Sequence, residues 1–159
     1  MLDPGVIDIF LQPGEFFVGD AQFRLRTLLG SCVSITLWHP ASRIGAMSHF
    51  LLPGRSKGDR PDARYGNDAL DLMLAGLREQ GVAAAECQAK VFGGGNMFPG
   101  RRLQRPAIGM QNGEEARALL AGYAIPVLSA CLYGVGHRQI VFDIASGDVW
   151  SRQFEKVDI

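Results

Sequence analysis

From Thr27 to Phe50 the chain reads TLLGSCVSITLWHPASRIGAMSHF, and Val33, Ile35 and Leu37 alternate with Ser34, Thr36 and Trp38. That period of two marks a strand with two unlike faces. His39-Pro40-Ala41-Ser42 interrupts the alternation, because proline has no backbone donor and restricts its neighbour, and the chain returns from Arg43 to Phe50. The pattern predicts a hairpin. Upstream, Val6–Leu11 and Glu15–Val18 are short strands split by Gln12-Pro13-Gly14, and Phe23, Leu25 and Thr27 alternate with Arg24 and Arg26 in a strand that delivers the chain to Gly30. Downstream, Glu86–Phe92, Val127–Tyr133, Gln139–Ala145 and Asp148–Phe154 have strand character, the last three as a closing β-rich meander.

Two segments switch to helical spacing. Leu70, Met73, Leu74 and Leu77 recur at i, i+3, i+4 and i+7, which predicts a helix over 67–80 with Asn67 as its cap and Gly81 as its left-handed stop. Ala116, Leu119, Leu120 and Tyr123 predict a second helix over 112–123, capped by Asn112 with Glu115 in the capping-box position. Two helices are too few to alternate with eight or more strands in a doubly wound parallel sheet. The fold class is therefore α+β: layered, mostly antiparallel β-sheets flanked by two main helices.

The 159 residues, 47% hydrophobic, suit a single domain over 1–159. Lys plus Arg equals Asp plus Glu at 16 each, so no global field draws the chain to nucleic acid or an anionic membrane. The N-terminal MLDPGVIDIFLQPGEF carries acids and prolines among its apolar residues, unlike a signal peptide or a spanning segment, and a cytoplasmic protein without membrane insertion is expected. Cys32, Cys87 and Cys131 are odd in number and lack paired spacing. This argues against a disulfide framework and against a CxxC-type zinc site.

Chemistry concentrates in the first hairpin. If its strands pair antiparallel, the start of one lies beside the end of the other, bringing Cys32 to His49 across seventeen positions of sequence. A thiol with a neighbouring imidazole forms a nucleophile and its base, and N–H groups in the turn that Gly30 permits could hold an oxyanion. The plainer reading is a cysteine acting as a small buried hydrophobe and a histidine hydrogen-bonded for structure. Gly93-Gly94-Gly95 lacks phosphate-loop spacing. It reads either as a close-approach loop that leaves room for a substrate backbone beside Cys32 or as a simple tight bend. Arg101, Arg102 and Arg105 form a basic run that is either a solvated loop or a steering patch for a glutamate-rich helix. Gly54–Ala63 is a polar loop that either gates the site or merely connects strand to helix. Cys87, Cys131, His39 and His137 have no sequence feature that favours them over Cys32 and His49.

LGSCVSITLWHP followed by GAMSHFLLP resembles the signature of the CheD family of chemoreceptor glutamine deamidases, and PGEFFVGD, RYGNDAL, KVFGGGNMF and AIGMQN extend the likeness in order along most of the chain. The resemblance implies Cys32 as nucleophile, His49 as base and a threonine that orients the histidine. Thr27 is the nearest match; the alternative register would place Arg26 there, on the opposite face of the strand. Gln111 stands where the family pattern has an arginine. The implied function is hydrolytic deamidation of specific glutamine side chains in the cytoplasmic region of chemoreceptors, without a metal or cofactor, with a CheC-type phosphatase as a possible partner. Hydrolysis of glutamate methyl esters is a compatible side reaction. A non-catalytic module binding receptors or that phosphatase, and a thiol hydrolase of another specificity, are the competing readings.

Overall fold

The computed structural model describes residues 5–101 and 107–154. Among these, nine strands form two sheets and two helices cover one face. The strands are β1 (Ile7–Phe10), β2 (Phe16–Gly19), β3 (Phe23–Leu29), β4 (Val33–His39), β5 (Ile44–Ser48), β6 (Gln88–Gly93), β7 (Val127–Leu132), β8 (His137–Asp143) and β9 (Val149–Phe154). The helices are α1 (Gly66–Glu79) and α2 (Ile108–Gly122). The five-stranded sheet has the order β2-β5-β4-β6-β7 and the four-stranded sheet β1-β3-β8-β9.

The alternation along β4 decides the layering. Val33, Ile35 and Leu37 point to the helices, where they meet Leu70, Met73, Leu77, Ala116 and Leu120 in one buried core. On its other face, Trp38 packs in a second core with Leu25, Leu29, Met47, Ile140 and Phe142 between the two sheets. Each large side chain removed from water in these cores contributes about 1.5–3 kcal/mol. The order is thus helices, five-stranded sheet, four-stranded sheet.

Five strand pairings are antiparallel, and two, β1 with β3 and β6 with β7, are parallel. The sheets are mixed, as the connections require: β2 intervenes between β1 and β3, and α2 between β6 and β7. The closing segments do not form one meander. β7 joins the five-stranded sheet while β8 and β9 join the other, because the turn after β7 holds Tyr133, Gly134 and Gly136 at positive φ and redirects the chain.

Both helix starts differ from the sequence expectation. α1 begins at Gly66 after Tyr65, with no side-chain cap, so Asn67 lies within the helix; Gly81 does take the left-handed conformation, with φ +81°. α2 begins four residues before Asn112, whose amide is committed to the hairpin instead of to a cap. Glu115 likewise leaves the capping box and accepts the Gly54 N–H at 2.6 Å.

Candidate active site

Thr27 is fully buried on β3 and faces the gap between the sheets. Its hydroxyl donates to the Leu11 carbonyl at 2.8 Å. The same oxygen lies 2.7 Å from His49 Nδ1. A hydroxyl has one proton, and here Leu11 takes it, so Thr27 accepts from His49 and Nδ1 carries the ring's hydrogen. Nε2 is then an unprotonated base. Arg26, the alternative in sequence, points to the other face of β3 and pairs with Asp8 at 2.6 Å.

His49 sits just past β5, fixed by its backbone: its N–H donates to Glu15 O at 3.1 Å and its carbonyl accepts from Gly14 at 2.8 Å. One residue on, Phe50 and Val33 exchange both backbone hydrogen bonds at 3.0 Å, in the register set by Thr36 opposite Met47. That register puts His49 opposite Ser34 and Cys32 opposite Leu51. Cys32 and His49 are therefore diagonal neighbours on the face toward the four-stranded sheet, a relation in which the aromatic ring of the histidine can reach toward the shorter cysteine. Cys32 is half-buried at the edge of the inter-sheet core.

Burial sets the protonation states. It lowers the His49 pKa to about 4, against a smaller upward pull from the Glu15 carboxylate. It pushes the Cys32 thiol up from its ordinary value. Both shifts have the same cause, desolvation, and both favour the neutral forms of thiol and ring. The arrangement can support nucleophilic attack with concerted proton transfer.

The turn that carries Cys32 is held from three sides. Gly95 N–H donates to Gly30 O and Gly94 N–H to Cys32 O, both at 2.9 Å, and Asn112 Nδ2 donates to Ser31 O at 3.1 Å. The triple glycine serves this contact. A Cβ at Gly93, where φ is +109°, would overlap Cys32 O, and one at Gly94 would lie 2.6 Å from Gly109 O. The missing side chains thus make room for the protein's own backbone, which corrects the expectation of space for a substrate. Arg138, buried in β8, braces the loop by donating to Gly93 O at 3.2 Å and to Cys131 O.

The remaining candidates lie elsewhere. His39 Nε2 is 2.9 Å from Glu86 in a surface pair, and His137 opens β8 opposite Phe154. Cys87 is buried, donates to Ala83 O at 3.7 Å, and has its pKa raised to about 11 by burial. The loop over 54–63 is tied down: Asp68 Oδ2 accepts the N–H groups of Ser56 and Asp62, each at 3.0 Å. It borders an open cleft of ≈ 830 Å³ that Gly14, Glu15 and Phe16 line from the other side. Of the basic run, Arg101 lies over the Phe98 ring at 5.5 Å, whereas Arg102 and Arg105 fall outside the described residues. Among the described residues no three His, Cys, Asp or Glu side chains are grouped to hold a metal ion, and no helix is long and apolar enough to cross a membrane.

The family model of CheD, described as CheD chemotactic sensory transduction, matches residues 51–153. The chain belongs to the CheD family. It is 62% identical over 151 residues to a protein of Albidiferax ferrireducens named "Probable chemoreceptor glutamine deamidase CheD 2", covering 92% of this chain and 87% of that one. It is 44% identical to the protein of Dechloromonas aromatica named "Probable chemoreceptor glutamine deamidase CheD 3", over 90% of this chain and 85% of that one. A third CheD relative, from Pseudomonas savastanoi and also named a "Probable chemoreceptor glutamine deamidase", is 42% identical over 93% of this chain and 85% of its own. The family model begins after the Cys32–His49 hairpin. The 92% span of the first relative omits too few residues to exclude it.

Sequence reasoning missed Asn112 and Arg138 as supports of the turn that carries Cys32 and of the glycine loop against it. Asn112 was legible only as a cap, since nothing local distinguishes an asparagine near a helix start from one inside it. Arg138 carried one signal, a cation at the head of an apolar strand, which demands partners when buried.

Proposed function

We propose that the protein deamidates specific glutamine side chains in the cytoplasmic region of chemoreceptors, giving glutamate and ammonia. The observation that supports this most directly is the Thr27–His49 hydrogen bond at 2.7 Å. It leaves Nε2 as the ring's base on the strand face that Cys32 shares, in a CheD chain whose relatives bear the deamidase name.

In the first step Cys32 Sγ attacks the amide carbon while its proton passes to His49 Nε2, and the carbonyl π pair moves onto oxygen. Backbone N–H groups of the turn over 30–32 receive that oxyanion. Collapse breaks the C–N bond, and the proton on His49 goes to the departing nitrogen as ammonia. Neutral His49 next takes a proton from water, the hydroxide attacks the thioester, and the proton returns to the Cys32 sulfur as the carboxylic acid leaves. Thr27 holds the ring throughout. A glutamate methyl ester would pass through the same acyl-enzyme. A cytoplasmic location and an association with a CheC-type phosphatase accompany this reading.

The test is peptide mass spectrometry of a cognate receptor cytoplasmic fragment incubated with wild type and with Cys32→Ala. Conversion of particular glutamines by wild type alone supports the proposal. Absence of conversion with equal binding by both proteins assigns the chain to a non-catalytic binding role, and turnover of free glutamine or short peptides points to a broader thiol hydrolase.

A further inference from the structure

Asn112 is fully buried one turn into α2. Its Nδ2 donates to two carbonyls of the hairpin, Ser31 O at 3.1 Å and Leu51 O at 2.8 Å, while its buried Oδ1 has no hydrogen-bond partner. Leu51 stands opposite Cys32 in the strand register, so a single side chain grips both strands at the level of the thiol. We infer that Asn112 is a positioning residue that aims the Cys32 N–H at the oxyanion of the reacting amide, a role that rests on the thiol amidohydrolase reading.

In a trans peptide the carbonyl of one residue and the N–H of the next point in opposite directions. The rule is visible one plane further on, where Cys32 O faces Gly94 on the β6 side and Val33 N–H faces Phe50 on the β5 side. Asn112 holds Ser31 O toward the helix layer. The Cys32 N–H is thereby turned to the opposite face, the one on which the Cys32 side chain and His49 lie. The carbonyls on either side, Gly30 O and Cys32 O, are held by Gly95 and Gly94, and the Ser31 carbonyl between them is held by the Asn112 amide. An aliphatic side chain of similar size would fill the same space without stranding a buried acceptor. The two donated bonds account for keeping the amide despite that cost.

The test compares wild type, Cys32→Ala, Asn112→Ala and Asn112→Ser in two reactions: deamidation of the receptor fragment, and alkylation of Cys32 by iodoacetamide. Alkylation displaces iodide at a saturated carbon and forms no oxyanion, so it reports the thiol and its surroundings alone. Loss of an oxyanion donor lowers kcat by about 100-fold, with KM held within about threefold and alkylation within about threefold of wild type. Deamidation at the wild-type rate in either folded variant overturns the inference and leaves the functional reading intact. A parallel fall in alkylation, or failure of both variants to fold by circular dichroism, makes Asn112 a structural residue and also overturns it. If wild type itself gives no Cys32-dependent product, the functional reading fails and takes this role with it.

Discussion

Thr27 Oγ1 accepts the Nδ1–H of His49 at 2.7 Å while donating its own proton to Leu11 O at 2.8 Å. The hydroxyl thereby fixes both the tautomer and the plane of the ring, joining the first strands of the chain to the end of the hairpin. Thr27→Val keeps the shape and removes both bonds. It is expected to lower the deamidation kcat about 10- to 100-fold and to cost about 1–3 kcal/mol of stability through the stranded Leu11 carbonyl and His49 N–H. Thr27→Ser should recover most of the rate. Steady-state kinetics and urea unfolding of the two variants provide the check.

The depressed pKa of His49 makes stability depend on pH in a defined window. The unfolded chain protonates this histidine near the ordinary 6.5, the folded one only near about 4. Between those values the unfolded state binds more protons, so stability rises with pH across the window and is lost as pH falls toward 4. The contribution is at most about 3 kcal/mol. His49→Gln should flatten this slope in urea titrations at pH 4.5 and 7.5. An unchanged slope would show that the ring is not held neutral by burial.

Activity should follow the same group. A base that stays neutral down to about pH 4 places the acid limb of kcat/KM well below that of an exposed imidazole. The thiol, pushed up by burial, is expected to give no thiolate absorbance in a wild-type minus Cys32→Ala difference spectrum at pH 7. A resting thiolate–imidazolium pair would instead show that absorbance at neutral pH.

Gly93 and Gly81 separate strain from contact. Both have positive φ, but a Cβ at Gly93 would overlap Cys32 O whereas one at Gly81 meets nothing within 4 Å. Gly81→Ala should cost about 1 kcal/mol and leave kcat unchanged. Gly93→Ala adds displacement of the Cys32 turn, with a cost of about 2–4 kcal/mol and loss of most activity. Thermal unfolding and kinetics of the pair measure the difference.

How far the molecule could be read from its sequence differs by element. The 33–50 hairpin was legible because period-two alternation and a proline-bearing turn are local signals, whereas the register that places His49 diagonal to Cys32 is seen only in the folded pairing of Thr36 with Met47 and Val33 with Phe50. The apolar stripe of α1 was legible for the same reason, as Leu70, Met73, Leu74 and Leu77 are all buried. The start of α2 was not, because Asn112 has a stronger use in the hairpin than at a cap. The split of the last three strands between two sheets turns on positive-φ residues near 133–136, which sequence marks as a turn without saying where it leads.

The strand and helix periods, the α+β class and the likeness to CheD are all local properties of the sequence, since each depends on residues within one turn, one strand or one motif. Folding is what brings Thr27 and not Arg26 to His49, makes the glycine loop leave room for Cys32's own backbone, and sets Asn112 against the turn beside the thiol. Those contacts join positions far apart in the chain, and whether a side chain caps, packs or donates there depends on which carbonyl the folded layers bring to it.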